Sequence, residues 1–271
     1  TRKAILIGSP GHSNNFLNGV KRDVINLSNF LQSDKGGAWK RNQIQVLYNS
    51  SYNEVSQIVK SSLADYVFVY FSGHGFTNTI TGKRMISFHD KVVSDLSLLN
   101  ESPKQLIIVD ACRNYGSLGL AGIHNFGNSI DHFDGESVYD LFNEYIAHSP
   151  QGRMIVHATQ PGTFSYDHPT GGDFTQALLH VSPRMKAESD YSPCKIGDLL
   201  ISVRAFLKKN GSKQIPDIAY NQGDLSVPFA LSIPSHQISA NSRSSEVSNS
   251  QVLGFTLFAL AFLGLAIAAS K

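Results

Sequence analysis

The stretch QLIIVDACRNYGS, residues 105–117, runs from a short apolar segment into an acid, an alanine and a cysteine. Residues 105–110 are apolar on both faces and rich in β-branched side chains, the pattern of a strand buried inside a parallel sheet. Cys112 sits just past the end of that strand. Taken alone, such a cysteine reads as a small buried hydrophobe. Its place at a strand end opens a second reading, a reactive thiol, and the rest of the chain has to decide between the two.

Two further runs, KAILIG (3–8) and YVFVYF (66–71), match the first, and IQVLYN (44–49) and RMIVHAT (153–159) match it less cleanly. Between them lie segments of helical period: Val20, Val24, Leu27 and Leu31, then Val55, Ile58, Val59 and Leu63. Strand and helix alternate, which predicts a parallel sheet covered on both faces by right-handed crossovers. The first 160 residues therefore read as a three-layer α/β domain. Beyond them the sequence predicts helices around 173–180 and 196–209, and short strands near IPDIAY (215–220) and VPFALSI (227–233).

Open α/β sheets gather functional groups beyond the carboxyl ends of their strands. That rule selects SGHG (72–75), which follows YVFVYF, and ACRN (111–114), which follows LIIVD. If the two strands are neighbours, His74 faces Cys112. A thiol is only slightly ionised at neutral pH, so a catalytic cysteine needs a base beside it, and histidine titrates in the right range. Gly73 and Gly75 allow a tight turn and a close approach of substrate. One histidine among ten carries little weight; a glycine-flanked histidine after one buried strand and an Asp-Ala-Cys after another is far more specific.

VYFSGHG, with the cysteine of IIVDAC following 38 residues after its histidine, resembles the caspase-like cysteine peptidases, especially their metacaspase and bacterial branch. LNGVKRDV (17–24), ATQPGTFSYDHPTGGDFTQALL (158–179) and IPDIAYNQGDLSVPFAL are similar to further family segments, so the likeness spans about residues 3–233. The resemblance implies a caspase-like α/β/α fold around a mostly parallel sheet of about six strands. It implies a cysteine endopeptidase with Cys112 as nucleophile, His74 as base and then acid, and the N–H groups of Gly75 and Cys112 as oxyanion donors. No third triad member is evident; in the family a backbone carbonyl orients the imidazole. Animal caspases carry Gln two positions before the nucleophile, where this chain has Asp110. Asp23, Ser72 and Asp110 match positions that line the primary specificity pocket of metacaspases, and two carboxylates there would attract Arg or Lys and repel Asp. Cleavage after basic residues is expected; the alternatives are an Asp-specific enzyme and a non-catalytic binding module. A nucleotide-binding reading fails because GSPGHSNN lacks the Gly-x-Gly-x-x-Gly spacing.

No cofactor is expected. Many metacaspases bind calcium through several aspartates near the catalytic pair; here Asp90 and Asp95 remain and Ser94 replaces another acid. Calcium takes six to eight oxygens, so this set does not favour it. No Lys or Arg lies between Arg113 and Arg153, so the glycine-rich stretch 114–135 offers a basic-specific enzyme no site for activating self-cleavage. Single-chain activity is the expectation.

The bulk numbers narrow the partners. Twenty-three basic against 21 acidic residues give a net charge of +2 with no basic run, so nucleic acid is not a partner and protein substrates are. Cys112 and Cys194 form neither a disulfide framework nor a zinc site, which suits a reducing compartment; Cys194, without a strand end or histidine beside it, reads as structural. The expected organisation is a peptidase domain (1–234), a Ser-rich linker (235–251, seven serines in 17 residues) and a transmembrane helix (252–269). Those 18 uncharged residues make a helix of about 27 Å against a hydrocarbon core of roughly 30 Å. The expected protein is single-pass, anchored by its C-terminus, with a cytoplasmic catalytic domain, although Arg243 and Lys271 give no charge bias to set its orientation. Arg243 in the linker would be a site of self-release. Caspase-like proteins of microbes are associated with regulated cell death and defence, which by analogy is the programme expected here.

Overall fold

The three apolar runs lie side by side at the centre of one sheet. The computed structural model describes residues 1–112, 135–186, 191–223, 226 and 228–232. Along the chain its elements are β1 (Arg2–Ser9), α1 (Val20–Gln32), β2 (Ile44–Tyr48), α2 (Tyr52–Ser61), β3 (Tyr66–Gly73), β4 (Gly75–Thr77), β5 (Arg84–Ser87), β6 (Val92–Ser94), β7 (Lys104–Asp110), α3 (Gly135–His148), β8 (Gly152–His157), α4 (Asp173–Val181), β9 (Ser192–Lys195), α5 (Ile196–Lys209), β10 (Asp217–Gly223) and β11 (Pro228–Ser232). The central sheet has six strands in the order β10-β8-β7-β3-β1-β2. All its pairs are parallel except β10 against β8. This is the mostly parallel, caspase-like α/β architecture expected from the sequence.

The strand order explains which face each helix covers. The chain steps from β1 outward to β2, then crosses back past β1 to β3, and right-handed crossovers in opposite directions put their helices on opposite faces. Accordingly Val24, Leu27 and Leu31 of α1 pack with Leu6, Tyr70 and Ile108, whereas Val55 and Val59 of α2 pack with Ile7, Phe71 and Val109. The direction of winding reverses between β1 and β3. A crevice opens beyond the carboxyl ends of strands at such a point.

The second face departs from a simple layer of helices. Alongside α2 it is covered by a three-stranded antiparallel sheet, β4-β5-β6, whose Ile86 and Val93 enter the core. These strands are only three or four residues long, too short for a periodic signal. On the first face, α3 places Val138, Phe142 and Ile146 in the core at helical spacing. That helix was not predicted, although its apolar residues recur every four positions. The VPFALSI strand is present, but it pairs with β9 in a separate two-stranded ribbon. Cys194 lies in that ribbon, buried, and burial pushes its thiol up to about 12, which makes it a packing residue.

The glycine-rich stretch before α3, the serine-rich linker, Arg243 and the expected helix at 252–269 fall outside the described residues. Among the described residues no helix is long and apolar enough to cross a membrane.

Candidate active site

Strand geometry brings the two motifs together. β3 and β7 are parallel neighbours in the register Tyr70↔Ile108 and Ser72↔Asp110. Side chains alternate between faces with period two, so Ser72 and Asp110 share the face of Tyr70 and Ile108. His74 and Cys112 stand two residues further along each strand, next in the same series. Ala111, between them in phase, falls in the opposite core. Thus S-x-H and D-x-C need one intervening residue each to place four polar groups on one face, under α1 and α4.

The imidazole is held by the loop after β1. His74 is 8% exposed, and its Nε2 lies 2.5 Å from the carbonyl oxygen of Asn15. A carbonyl only accepts, so Nε2 carries the proton and Nδ1 is left as the basic nitrogen. The Pro10 carbonyl is a second backbone partner; burial nevertheless lowers the pKa of the ring below the usual histidine value. Close contact with this loop requires a glycine. Gly11 has φ +84°, and a Cβ there would stand 2.7 Å from His74 Nε2. GSPGHSNN, rejected as a phosphate loop, is therefore the cradle of the histidine.

Cys112 is half-buried and its Sγ donates to the carbonyl oxygen of Ser165 at 3.3 Å. Gly75 lies against it: a Cβ at this position would meet Ala111 Cβ at 2.9 Å and Cys112 O at 3.0 Å. Glycine at 75 lets the backbone after His74 pass directly over the end of β7.

Beneath the thiol and imidazole is a pocket lined by Asp23, Ser72, Asp110, Tyr166, Asp167 and Gly172, among others. Asp23 comes from the first turn of α1. Its Oδ2 accepts from Ser72 Oγ at 2.9 Å and its Oδ1 from Gly172 N–H at 2.8 Å. Asp110 accepts from Ser165 Oγ (2.6 Å), Thr175 Oγ1 (2.7 Å) and Thr175 N–H (3.2 Å). The glycine pair of PTGGDF exists because these carboxylates fill the space a side chain would take. A Cβ on Gly171 would sit 2.4 Å from Asp23 Oδ1; one on Gly172 would sit 2.7 Å from Asp110 Oδ2 and 3.4 Å from Asp23 Oδ2.

Both carboxylates are buried, at 1% and 5% exposure, and burial raises the pKa of each. For Asp23 the neighbouring charge of Asp110 adds to the rise, taking it well above the usual carboxylate range. Neutral donors surround the pair, and no Lys or Arg lines the pocket among the described residues.

The two acids weighed as calcium ligands have other partners. Asp90 Oδ1 accepts from the Tyr52 N–H at the start of α2. Asp95 is fully buried and bonded to Arg84 Nε (2.6 Å) and His157 Nε2 (2.9 Å). Among the described residues no three His, Cys, Asp or Glu side chains gather as a metal site.

All of His74, Gly75, Cys112, Asp23, Ser72 and Asp110 therefore meet in one place. Sequence reasoning located the segment 158–179 but missed the residues within it that matter. Ser165 touches both the thiol, through its carbonyl, and Asp110, through its hydroxyl, which also accepts from Gln214 Nε2 at 2.8 Å. Asp167 adds a third carboxylate. The only local signal was a loop dense in Ser, Tyr, Asp and Gly between a buried strand and a helix.

Against this geometry, similarity to known proteins can be weighed. The caspase domain model, of the peptidase C14 family, matches residues 1–224. A sequence comparison with curated proteins gives no match. Among solved structures, the crystal structure of caspase-1 from Spodoptera frugiperda is similar with a TM-score of 0.55 at 20% identity, over 86% of this chain and 88% of that one. At that identity the likeness is one of fold. Together with the family match over most of its length, it places the chain in the caspase domain family of peptidases.

Proposed function

We propose that the chain is a cysteine endopeptidase that works through Cys112 and His74 and cleaves proteins after arginine or lysine. The observation that carries this reading is the buried pair Asp23 and Asp110, without a cation beside them, in the pocket that holds Cys112 and His74. Buried carboxylates are stable only when a charge or enough donors meet them. A basic side chain of the substrate would supply that charge, and an acidic one would add a third repulsive carboxylate.

The chemistry follows from the site. His74 Nδ1 takes the proton of Cys112, and the sulfur attacks the carbonyl carbon of the scissile bond. The developing oxyanion is met by the N–H groups of Gly75 and Cys112, each donor worth a few kcal/mol, on the order of 3. The imidazolium returns its proton to the leaving amine, and water hydrolyses the thioester. Lowering of the histidine pKa by burial keeps the ring neutral, as a base must be, at pH 7.

A C-terminal membrane anchor at 252–269 belongs to the same proposal and rests on the apolar sequence there. The test is a panel of fluorogenic peptides differing at the residue before the cut, run with the parent chain, Cys112→Ala and His74→Ala. Cleavage after Arg or Lys that both variants abolish is expected. Preferential cleavage after Asp, or activity surviving in Cys112→Ala, would refute it.

A further inference from the structure

The pocket has a third carboxylate that differs from the other two in depth and in what it touches. Asp167 lies in the loop between β8 and α4 and is half-buried, whereas Asp23 and Asp110 are fully buried on the floor. It lines the same cleft as Cys112. Its Oδ2 accepts from Gly19 N–H at 3.1 Å, and the Asn18 N–H is a second backbone donor to it. These are unpaired donors at the start of α1, a place that favours a negative charge. A Cβ on Gly19 would stand 2.2 Å from Asp167 Oδ1, so glycine at 19 is what lets the carboxylate come so close.

Counting acceptors separates the two basic side chains. A carboxylate has about four lone-pair directions, a guanidinium five N–H donors and an ammonium three. Asp110 uses three directions on Ser165 and Thr175, and Asp23 uses two on Ser72 and Gly172. The floor keeps about three open, which satisfies an ammonium and leaves a guanidinium short. Asp167, with two directions occupied, keeps about two more. Depth points the same way. The Nε–H of arginine lies short of the tip of the side chain, where a lysine of similar reach presents only methylene. A carboxylate above the floor meets a donor in one case and none in the other.

From this we infer that Asp167 is a specificity-determining residue that makes the pocket prefer arginine to lysine, by accepting from the guanidinium above the floor formed by Asp23 and Asp110. The inference rests on the proposed cleavage after basic residues.

The test compares kcat/KM for two peptide substrates identical except for Arg or Lys before the cut, in the parent, Asp167→Asn and Asp167→Glu. Asparagine keeps an oxygen for the Gly19 N–H, so the tie between loop and helix is retained, and a melting curve for each variant checks that it folds. A charge-assisted hydrogen bond predicts that the Arg-to-Lys ratio falls about tenfold or more in Asp167→Asn, with lysine cleavage changed less than about threefold. Asp167→Glu, which restores the charge, should recover part of the ratio. Equal losses on both substrates would make Asp167 a structural clamp and overturn the inference, as would an unchanged ratio; cleavage after basic residues would stand in either case. Cleavage by the parent after Asp alone would overturn both.

Discussion

Replacing Asp23 by asparagine should stabilise the folded chain while removing its cleavage after arginine. Asp23 Oδ2 and Asp110 Oδ2 lie 3.4 and 2.7 Å from one point, the place of a Cβ on Gly172, so these oxygens are within about 6 Å of each other. Two unit charges about 6 Å apart repel by about 3 kcal/mol at an effective dielectric constant of about 20. Asparagine keeps both hydrogen bonds: its oxygen accepts from Gly172 N–H, and its amide donates to Ser72 Oγ. Only the charge is lost. For a domain of this size a gain of about 3 kcal/mol raises Tm by on the order of 8 °C.

The sign with pH is fixed by the direction of the shift. The folded-state pKa of Asp23 is raised above its unfolded value by burial and by Asp110. The native protein therefore loses stability as pH rises from the ordinary carboxylate range through that raised pKa. The Asn variant escapes this loss, so its advantage is full at high pH and shrinks toward zero near pH 4, about the unfolded pKa. The assay is thermal melting at several pH values, with Cys112→Ala in both proteins to prevent self-digestion. A peptide ending in arginine should raise Tm less in the Asp23→Asn form. A lower Tm for that form at pH 7.5, or a gain that persists unchanged at pH 4, would refute the electrostatic account of the pocket.

Gly11→Ala introduces a methyl 2.7 Å from His74 Nε2 at a residue with φ +84°. The imidazole must shift, and a misplacement of about 1 Å costs about 100-fold in kcat, while binding of an arginine peptide to the untouched carboxylates should stay near the parent value; parent-like turnover would refute the cradle. Asp95→Asn cuts a buried ion pair with Arg84 and His157. Burial pushes the Asp95 carboxyl up, but the bonds from His157 and Arg84 outweigh it and hold the pKa below the usual range. Its contribution is therefore present above the unfolded pKa and lost as pH falls through the lowered one. Urea unfolding at pH 7 should show a loss on the order of 3 kcal/mol, diminishing in acid; an unchanged midpoint at pH 7 would refute it.

Both members of the proposed catalytic pair were legible because strand-end chemistry is local. A buried strand has one carboxyl end, and the residues just beyond it are few. Ser72, His74, Asp110 and Cys112 follow from two such ends and the period-two alternation of side chains. The small β4-β5-β6 sheet and the β9-β11 ribbon were not legible, because strands of three to five residues are defined by their partners. The helix α3 had a visible period and was still missed.

What the sequence alone determined is the order of strands and helices, the placing of a thiol and an imidazole at adjacent strand ends, and the acidic character of the pocket. Those features depend on neighbours in the chain or on a single strand pairing. Only the tertiary structure decided that GSPGHSNN holds the histidine ring, that Asp90 and Asp95 are engaged elsewhere, and that Asp167 joins Asp23 and Asp110. Asp23, Asp110 and Asp167 come from a helix, a strand and a loop far apart in sequence. Their meeting is set by how closely α1 and the loop before α4 pack onto the sheet, through glycines whose missing side chains make the room.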